Sequence, residues 1–151
     1  MERIKNSDLP EGLIEAMRHV QEFINKSGLD KMLLELMRTR ISQINGCAYC
    51  LDMHTKLAIH AGETVQRLIS VSAWREAPYY TAKERVVLEY AEMLTRLRED
   101  SDIDLIHDEL LKYFTKGEIA HLSLAIAQIN SWNRVVKSTG ITPGSFQVPR
   151  E

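Results

Sequence analysis

The chain has 151 residues, of which 44% are hydrophobic, and this is enough to form one domain of ordinary size with a substantial core. Lys and Arg number 19 and Asp and Glu number 21, which gives a net charge of −2 at pH 7. No cluster of four basic residues occurs, so nucleic acid and anionic membrane surfaces are poor candidates as partners.

No apolar run in the sequence approaches the ~18 residues that a membrane-spanning helix needs. The segment from Met1 to Asn6 has no apolar region behind its charges, so we expect no secretory signal. The sequence therefore predicts a cytoplasmic protein. Structural disulfides are rare in that compartment, where a CxxC pair is more often catalytic or metal-binding.

Apolar residues recur at helical spacing along most of the chain, and no alternating pattern typical of strands is present. Glycines fall mainly between these segments. The predicted helices cover approximately residues 9–28, 30–46, 47–62, 63–73, 82–98, 104–113 and 119–138. Seven helices joined by short loops predict an all-α bundle, and we expect residues 1–151 to form a single helical domain.

Several predicted helix starts carry recognisable caps. Asp30 is a candidate N-cap for the second helix, and Pro10 is expected in the first turn of the first helix. Thr81 and Thr115 are each followed three residues later by a glutamate, which is the pattern of a capping box. The last helix is apolar on more than one side, so we place it in the middle of the bundle or at a subunit interface.

The two cysteines of the chain, Cys47 and Cys50, are three residues apart, and His54 follows four residues after the second. On a helix these three side chains share one face. A helix start presents unpaired N–H groups and a partial positive charge, which favour the thiolate form of a cysteine. The His54 side chain leans back toward Cys50, where it can accept the thiol proton. A pair of thiols beside a titratable base indicates thiol redox chemistry.

Glu35 is the candidate partner of His54. If the helices before and after Gly46 fold back on each other, Glu35 lies roughly 15 Å and His54 roughly 12 Å from the corner, at a rise of about 1.5 Å per residue. The two side chains are then nearly level, and a carboxylate–imidazole pair would fix the histidine tautomer and raise its basicity. Taken by itself, Glu35 is better read as a solvated helix residue.

Together these residues give the pattern E-x11-C-x2-C-x3-H, and residues 42–50 read SQINGCAYC. The pattern resembles that of the AhpD-like alkylhydroperoxidase family, within the carboxymuconolactone decarboxylase superfamily. The resemblance extends through residues 74–78 and 129–134, and so covers a core from about residue 30 to 136.

The resemblance implies an all-helical subunit that assembles into homo-oligomers, either trimers or hexamers. It implies an antioxidant enzyme, an alkyl hydroperoxide reductase, in which Cys47 and Cys50 reduce a hydroperoxide substrate while Glu35 and His54 relay protons. The best-studied members carry a second histidine just before the second cysteine, where this chain has Tyr49.

An external dithiol, from a thioredoxin-like or a lipoyl protein, would reduce the resulting disulfide. No flavin or nucleotide motif occurs in the sequence, so we expect no cofactor and no bound metal. We favour Cys50 as the attacking sulfur because His54 is nearest to it, and Cys47 would then capture the sulfenic acid. The opposite assignment stays open, because the first cysteine of a helical CxxC is usually the more exposed one.

Other interpretations stay open as well. One alternative is that the cysteines are small buried core residues. Another is that they join His54 and Glu35 in a tetrahedral zinc site, the metal clip of a non-catalytic helical oligomer. The protein could be a general disulfide reductase or redox adaptor. A carboxymuconolactone-type decarboxylase is a further alternative, although that chemistry needs no thiol pair. Asn130 and Asn133 are expected to cap neighbouring helix ends or to cross a subunit interface.

Overall fold

The computed structural model describes residues 2–149. Within this range there are seven α-helices and two short 3₁₀ helices, Asn6–Asp8 and Val71–Ala73, and no strand. The α-helices in chain order are α1 (Leu13–Asn25), α2 (Lys31–Asn45), α3 (Ala48–His60), α4 (Val65–Ser70), α5 (Ala82–Arg96), α6 (Ile103–Leu110) and α7 (Lys116–Thr139). The predicted all-α class and the predicted number of helices are confirmed.

Helix starts are predicted correctly where a polar side chain caps the helix. Asp30 accepts a hydrogen bond from the backbone N–H of Leu33 at 2.7 Å, and α2 begins at the residue after Asp30. Thr81 and Thr115 each exchange hydrogen bonds with the glutamate three residues later, so both predicted capping boxes are formed.

The predicted start of the first helix, just after Asp8 with Pro10 in its first turn, is wrong. Asp8 ends a 3₁₀ helix, the carbonyl of Pro10 accepts a turn hydrogen bond from Leu13, and α1 begins only there. The physical reason is Gly12, whose left-handed backbone (φ +80°) cannot continue into a right-handed helix.

α2 lies at the centre of the bundle. It packs against α3, α5 and α7, while α1 packs on α7 and α6 packs on α5. Leu36, Met37 and Ile41 of α2 are fully buried, as expected for a central helix. α7 contacts α1, α2, α3 and α5, which confirms its predicted position in the middle of the bundle. None of the helices in the described range is long and apolar enough to cross a membrane.

A buried carboxylate anchors α5 to α2 and to the loop before α5. Glu92 is 3% exposed and accepts four hydrogen bonds of 2.7–3.0 Å, from Arg40 Nε, Trp74 Nε1, Arg75 Nη1 and Arg96 Nη1. Burial alone would raise its pKa, but the hydrogen bonds from Trp74, Arg75 and Arg40 and the charge of Arg40 lower the pKa of Glu92 to about 2. Glu92 is therefore ionised inside the bundle and fully paired.

We expect Glu92→Gln to lower the free energy of unfolding at neutral pH by roughly 3 kcal/mol, because the arginines around it lose their counter-charge. The pKa of Glu92 in the folded state lies below its ordinary value of 4.5, so the ionised group stabilises the fold above about pH 4.5 and this contribution is lost as the pH falls toward 2. Urea unfolding of both proteins at neutral pH and at about pH 3 should show the difference shrinking in acid. Other titrating groups are common to both proteins and cancel, so an equal difference at both pH values would contradict the assignment.

Candidate active site

The two cysteines lie at the corner between α2 and α3. Gly46 ends α2 with a left-handed backbone (φ +60°), and this turn lets α3 fold back along α2. Cys47 is the N-cap of α3, and its N–H donates to the carbonyl of Ser42 at 3.0 Å. α3 begins at Ala48, so Cys50 lies in its first turn, as predicted.

Cys47 and Cys50 are joined by a disulfide, with their Cα atoms 5.3 Å apart. The structure therefore describes the oxidised form of the pair, and the expected approach to disulfide distance is confirmed. The two residues are only 1% and 2% exposed. Exposure therefore does not distinguish the two sulfurs, although the first cysteine is expected from the sequence to be the more accessible.

Apolar side chains surround the disulfide. Tyr49 packs against it from α3, and Trp132 and Val136 pack against it from α7. The central helix α7 thus forms one wall of the site, and the sulfur atoms lie in a largely water-excluded environment.

A polar network fixes α7 against this corner. The Asn45 amide donates to Oδ1 of Asn133 at 2.8 Å and to Oδ1 of Asn130 at 3.0 Å. Asn133 in turn donates to the Ser42 hydroxyl at 3.2 Å. Lys137 Nζ donates to the backbone carbonyl of Asn45 at 2.7 Å, and so it caps the end of α2. The two asparagines of α7 therefore bind the end of a neighbouring helix, as expected.

Glu35 bridges two side chains at the level of the first turns of α3. Its Oε2 lies 2.7 Å from Nδ1 of His54, and its Oε1 accepts a hydrogen bond from Nη1 of Arg38 at 2.6 Å. All three side chains are buried. The level pairing of Glu35 with His54 follows from the helix rise as predicted, whereas the reading of Glu35 as a solvated residue is wrong because α3 covers it.

Opposing effects set the ionisation of Glu35. Burial raises its pKa, but the hydrogen bonds and charges of His54 and Arg38 together outweigh burial, so the pKa of Glu35 lies below its ordinary value of 4.5. The carboxylate is therefore ionised at neutral pH and only accepts hydrogen bonds, which assigns the Nδ1 proton to His54 as donor.

In the neutral ring, Nε2 of His54 then carries the lone pair. Nε2 is buried and has no hydrogen-bond partner within residues 2–149. His54 therefore presents an oriented and unengaged base one helical turn after Cys50.

Arg38 is missing from the residues predicted for this site. Its signal is present in the sequence, because an arginine three residues after a glutamate on a largely apolar helix can pair with it. Among the described residues, no group of three or more His, Cys, Asp or Glu side chains is arranged to hold a metal ion. His121 of α7 lies away from this site, half-buried against the ring of Phe23, with ring centroids 5.1 Å apart.

Comparison with known proteins identifies the family of this chain. The model of the carboxymuconolactone decarboxylase family matches residues 10–93. The chain belongs to this family. It is an AhpD-like member of the superfamily, which confirms the resemblance carried by the cysteine motif.

Three similar proteins illustrate the relationship. The uncharacterized protein YdfG of Bacillus subtilis is 35% identical over 131 residues, which cover 87% of this chain and 88% of that protein. A crystal structure from Agrobacterium tumefaciens, of a protein of unknown function described as a putative antioxidant defence protein AhpD, superposes with a TM-score of 0.89 at 33% identity and covers 97% of this chain and all of that one. The alkyl hydroperoxide reductase AhpD of Streptomyces coelicolor is 38% identical over 68 residues, 43% of this chain and 38% of that protein.

The shared carboxylate predicts a coupling between Glu35 and Arg38. Glu35→Gln should lower the free energy of unfolding by roughly 3 kcal/mol, because Arg38 stays buried without a counter-charge. Adding Arg38→Met should restore part of the loss, since the double variant no longer buries an unpaired charge. Urea unfolding of the wild type, the two single variants and the double variant gives the coupling free energy. Simple additivity would show that the pair does not act as a unit.

Proposed function

We propose that this protein is a thiol-dependent alkyl hydroperoxide reductase. The observation that carries the proposal is the combination of a bridged Cys47–Cys50 pair with a buried His54 whose Nδ1 is held by Glu35 and whose Nε2 is unengaged. A thiol becomes reactive when a nearby base removes its proton, and a second thiol protects the oxidised sulfur from further oxidation. This site supplies both requirements within one helical hairpin.

In the oxidative half of the reaction, Nε2 of His54 accepts the proton of the Cys50 thiol. The thiolate attacks one oxygen of the hydroperoxide ROOH, so that an S–O bond forms, the O–O bond breaks and RO⁻ leaves with the bonding electrons. RO⁻ takes the proton from His54 and departs as ROH. The Cys47 thiol then attacks the sulfenic acid of Cys50, which releases water and forms the disulfide. Two electrons pass from the dithiol to the peroxide.

Glu35 is the positioning residue of this relay. Its carboxylate keeps the Nδ1 proton in place, so that Nε2 gains and loses the transferred proton. The position where the best-studied relatives carry a second histidine is occupied by Tyr49, which packs against the disulfide instead. The proposed relay therefore depends on His54 alone.

The reductive half requires an external dithiol, from a thioredoxin-like or a lipoyl protein. Because both sulfurs are buried, a slender dithiol group that can enter the site is favoured as the reductant, and a reductant with a large flat protein surface is disfavoured. The same burial favours a small hydroperoxide as oxidant over the disulfide of a partner protein, and so supports a peroxidase more than a general disulfide reductase. A carboxymuconolactone-type decarboxylase would leave the cysteine pair without a role.

We also propose that residues 1–151 form one domain that works as a homo-oligomer, a trimer or a hexamer, in the cytoplasm, where dithiol reductants are maintained. Val65 and Ile69 support the oligomer, because both are exposed on one face of α4 although they are large and apolar. Burial between subunits would remove this surface from water.

The redox scheme predicts distinct products for the two cysteines. One equivalent of an organic hydroperoxide should convert the reduced wild type to the disulfide, and dithiothreitol should restore two thiols. Cys50→Ser should abolish the reaction, whereas Cys47→Ser should stop at a sulfenic acid that dimedone traps. Mass spectrometry of the intact proteins measures each product, with the double serine variant as the unreactive control.

The opposite pattern between the two single variants would assign the attack to Cys47. A wild-type protein whose mass does not change with hydroperoxide would refute the proposed function.

The oligomer proposal predicts a mass change in solution. Multi-angle light scattering of the wild type should give a multiple of the mass of one chain, and Ile69→Asp should lower this mass, because a charge enters an apolar contact. Leu105→Asp on α6 is the matched control, since Leu105 is 62% exposed and Ile69 is 71% exposed. A wild type with the mass of one chain, or an Ile69→Asp protein of unchanged mass, would contradict the proposal.

A further inference from the structure

Four buried side-chain atoms on the facing helices α2 and α3 make no hydrogen bond within residues 2–149. They are Nε and Nη2 of Arg38, Oγ1 of Thr39 and Nε2 of His54. The proposed reaction gives a role to His54 only. The atoms of Arg38 and Thr39 are hydrogen-bond donors that neither the fold nor the proposed relay uses.

The Arg38 guanidinium is the more unusual of the two groups. Its side chain is only 5% exposed, and its single side-chain partner among residues 2–149 is Oε1 of Glu35, bound through Nη1. A buried guanidinium with unpaired N–H groups is strongly disfavoured unless an acceptor reaches it. The two unpaired nitrogens share one edge of the planar group, where their N–H bonds point in the same direction, so they converge on one oxygen or on two adjacent oxygens.

Arg40, two residues further along α2, shows what a paired arginine looks like in this fold. Its Nε donates to Glu92 at 2.7 Å and its Nη1 donates to Gln43 at 3.3 Å. The two arginines lie on different sides of the helix because two residues correspond to more than half a turn. The unpaired edge of Arg38 is therefore a property of its position, and not of arginines on α2 in general.

The register of the hairpin puts Arg38 and Thr39 of α2 at the same level as Cys50 of α3. α3 runs back along α2 from Gly46, and Glu35 is level with His54. One helical turn toward the corner on both helices leads from Glu35 to Arg38 and Thr39, and from His54 to Cys50. The unpaired donors of α2 and the base of α3 thus lie within about one helical turn of Cys50 along the hairpin.

We infer that Arg38, assisted by the Thr39 hydroxyl, binds the oxygen that leaves when Cys50 cleaves a hydroperoxide. This inference rests on the proposed function. As the S–O bond forms and the O–O bond breaks, negative charge develops on the departing RO⁻ oxygen. The free edge of Arg38 stabilises this charge, and the proton that His54 took from Cys50 then neutralises RO⁻ as ROH. Arg38 acts only as a hydrogen-bond donor in this step, and His54 supplies the proton.

Glu35 positions both Arg38, which stabilises the negative charge, and His54, which transfers the proton. It bonds Arg38 through Oε1 and His54 through Oε2, so it holds both groups in fixed orientation toward the space between the helices. Once His54 is protonated, two positive charges face one carboxylate. The site then carries an excess positive charge at the moment when RO⁻ develops, which is the condition for preorganised electrostatic stabilisation.

The test compares two reactions of the same thiolate in the Cys47→Ser background, where only Cys50 reacts. One reaction is sulfenic acid formation with tert-butyl hydroperoxide, and the other is alkylation by iodoacetamide, which needs the thiolate but has no leaving oxygen. Both rates are measured on the plateau at high pH, where every Cys50 is ionised. Arg38→Met should slow the peroxide reaction about 10²-fold and change alkylation little. Arg38→Lys should recover part of the rate, because the charge returns without the fork.

Thr39→Val, which keeps the side-chain shape, should slow the peroxide reaction by a smaller factor, and it preserves the test if Arg38→Met does not fold. Arg40→Met removes an arginine from the same helix and should leave the ratio of the two rates unchanged. If both reactions slow equally in Arg38→Met, or if neither changes in Arg38→Met and Thr39→Val, the inference is wrong. A parent protein that alkylates but forms no sulfenic acid would instead refute the proposed function itself.

Discussion

The ionised carboxylate of Glu35, shared between His54 and Arg38, is the interaction on which the rest of the site depends. It lies in the most buried helix of the bundle, where an isolated charge would be strongly disfavoured. The two partners lower its pKa enough to keep it ionised, and in return the carboxylate fixes the histidine tautomer and the arginine rotamer. The same contact also holds the fold together, because it joins α2 to α3.

A second buried carboxylate, Glu92 of α5, also pairs with an arginine of α2 but is surrounded differently. Around Glu92, four donors from three parts of the chain satisfy the carboxylate, and Arg40 uses two of its own nitrogens. Around Glu35, the buried donors outnumber the hydrogen bonds that are formed. Nε and Nη2 of Arg38 have no hydrogen-bond partner among the described residues. A saturated network stabilises a fold, whereas an unsaturated one next to a reactive sulfur has binding capacity in reserve. Arg40 of α2 thus belongs to a saturated ion-pair cluster and Arg38 to an unsaturated one, on different sides of the helix.

Much of this arrangement follows from local features of the sequence. Helix number, the capping boxes at Thr81 and Thr115, and the corner at Gly46 all depend on neighbouring residues, and the pairing of Glu35 with His54 needs only the helix rise. The start of α1 escaped prediction because Gly12 takes a left-handed conformation that the surrounding pattern does not require. Burial of the cysteines was only one of the alternatives left open by the sequence, because the covering residues Trp132 and Val136 come from a helix near the other end of the chain. The absence of partners for Nε and Nη2 of Arg38 within residues 2–149 could not be predicted, because it depends on how the helices pack and not on the spacing of residues in the sequence.

The enclosure of the disulfide bears on which thiol could reduce it in the proposed redox cycle. Glutathione and similar monothiols are abundant but bulky around their sulfur, and each must align with a disulfide sulfur along the S–S axis to reduce it. Tyr49, Trp132 and Val136 pack against the pair, and neither cysteine is more than 2% exposed. In the proposed redox cycle, the electron donor is therefore selected by its reach into the site and not by its abundance in solution.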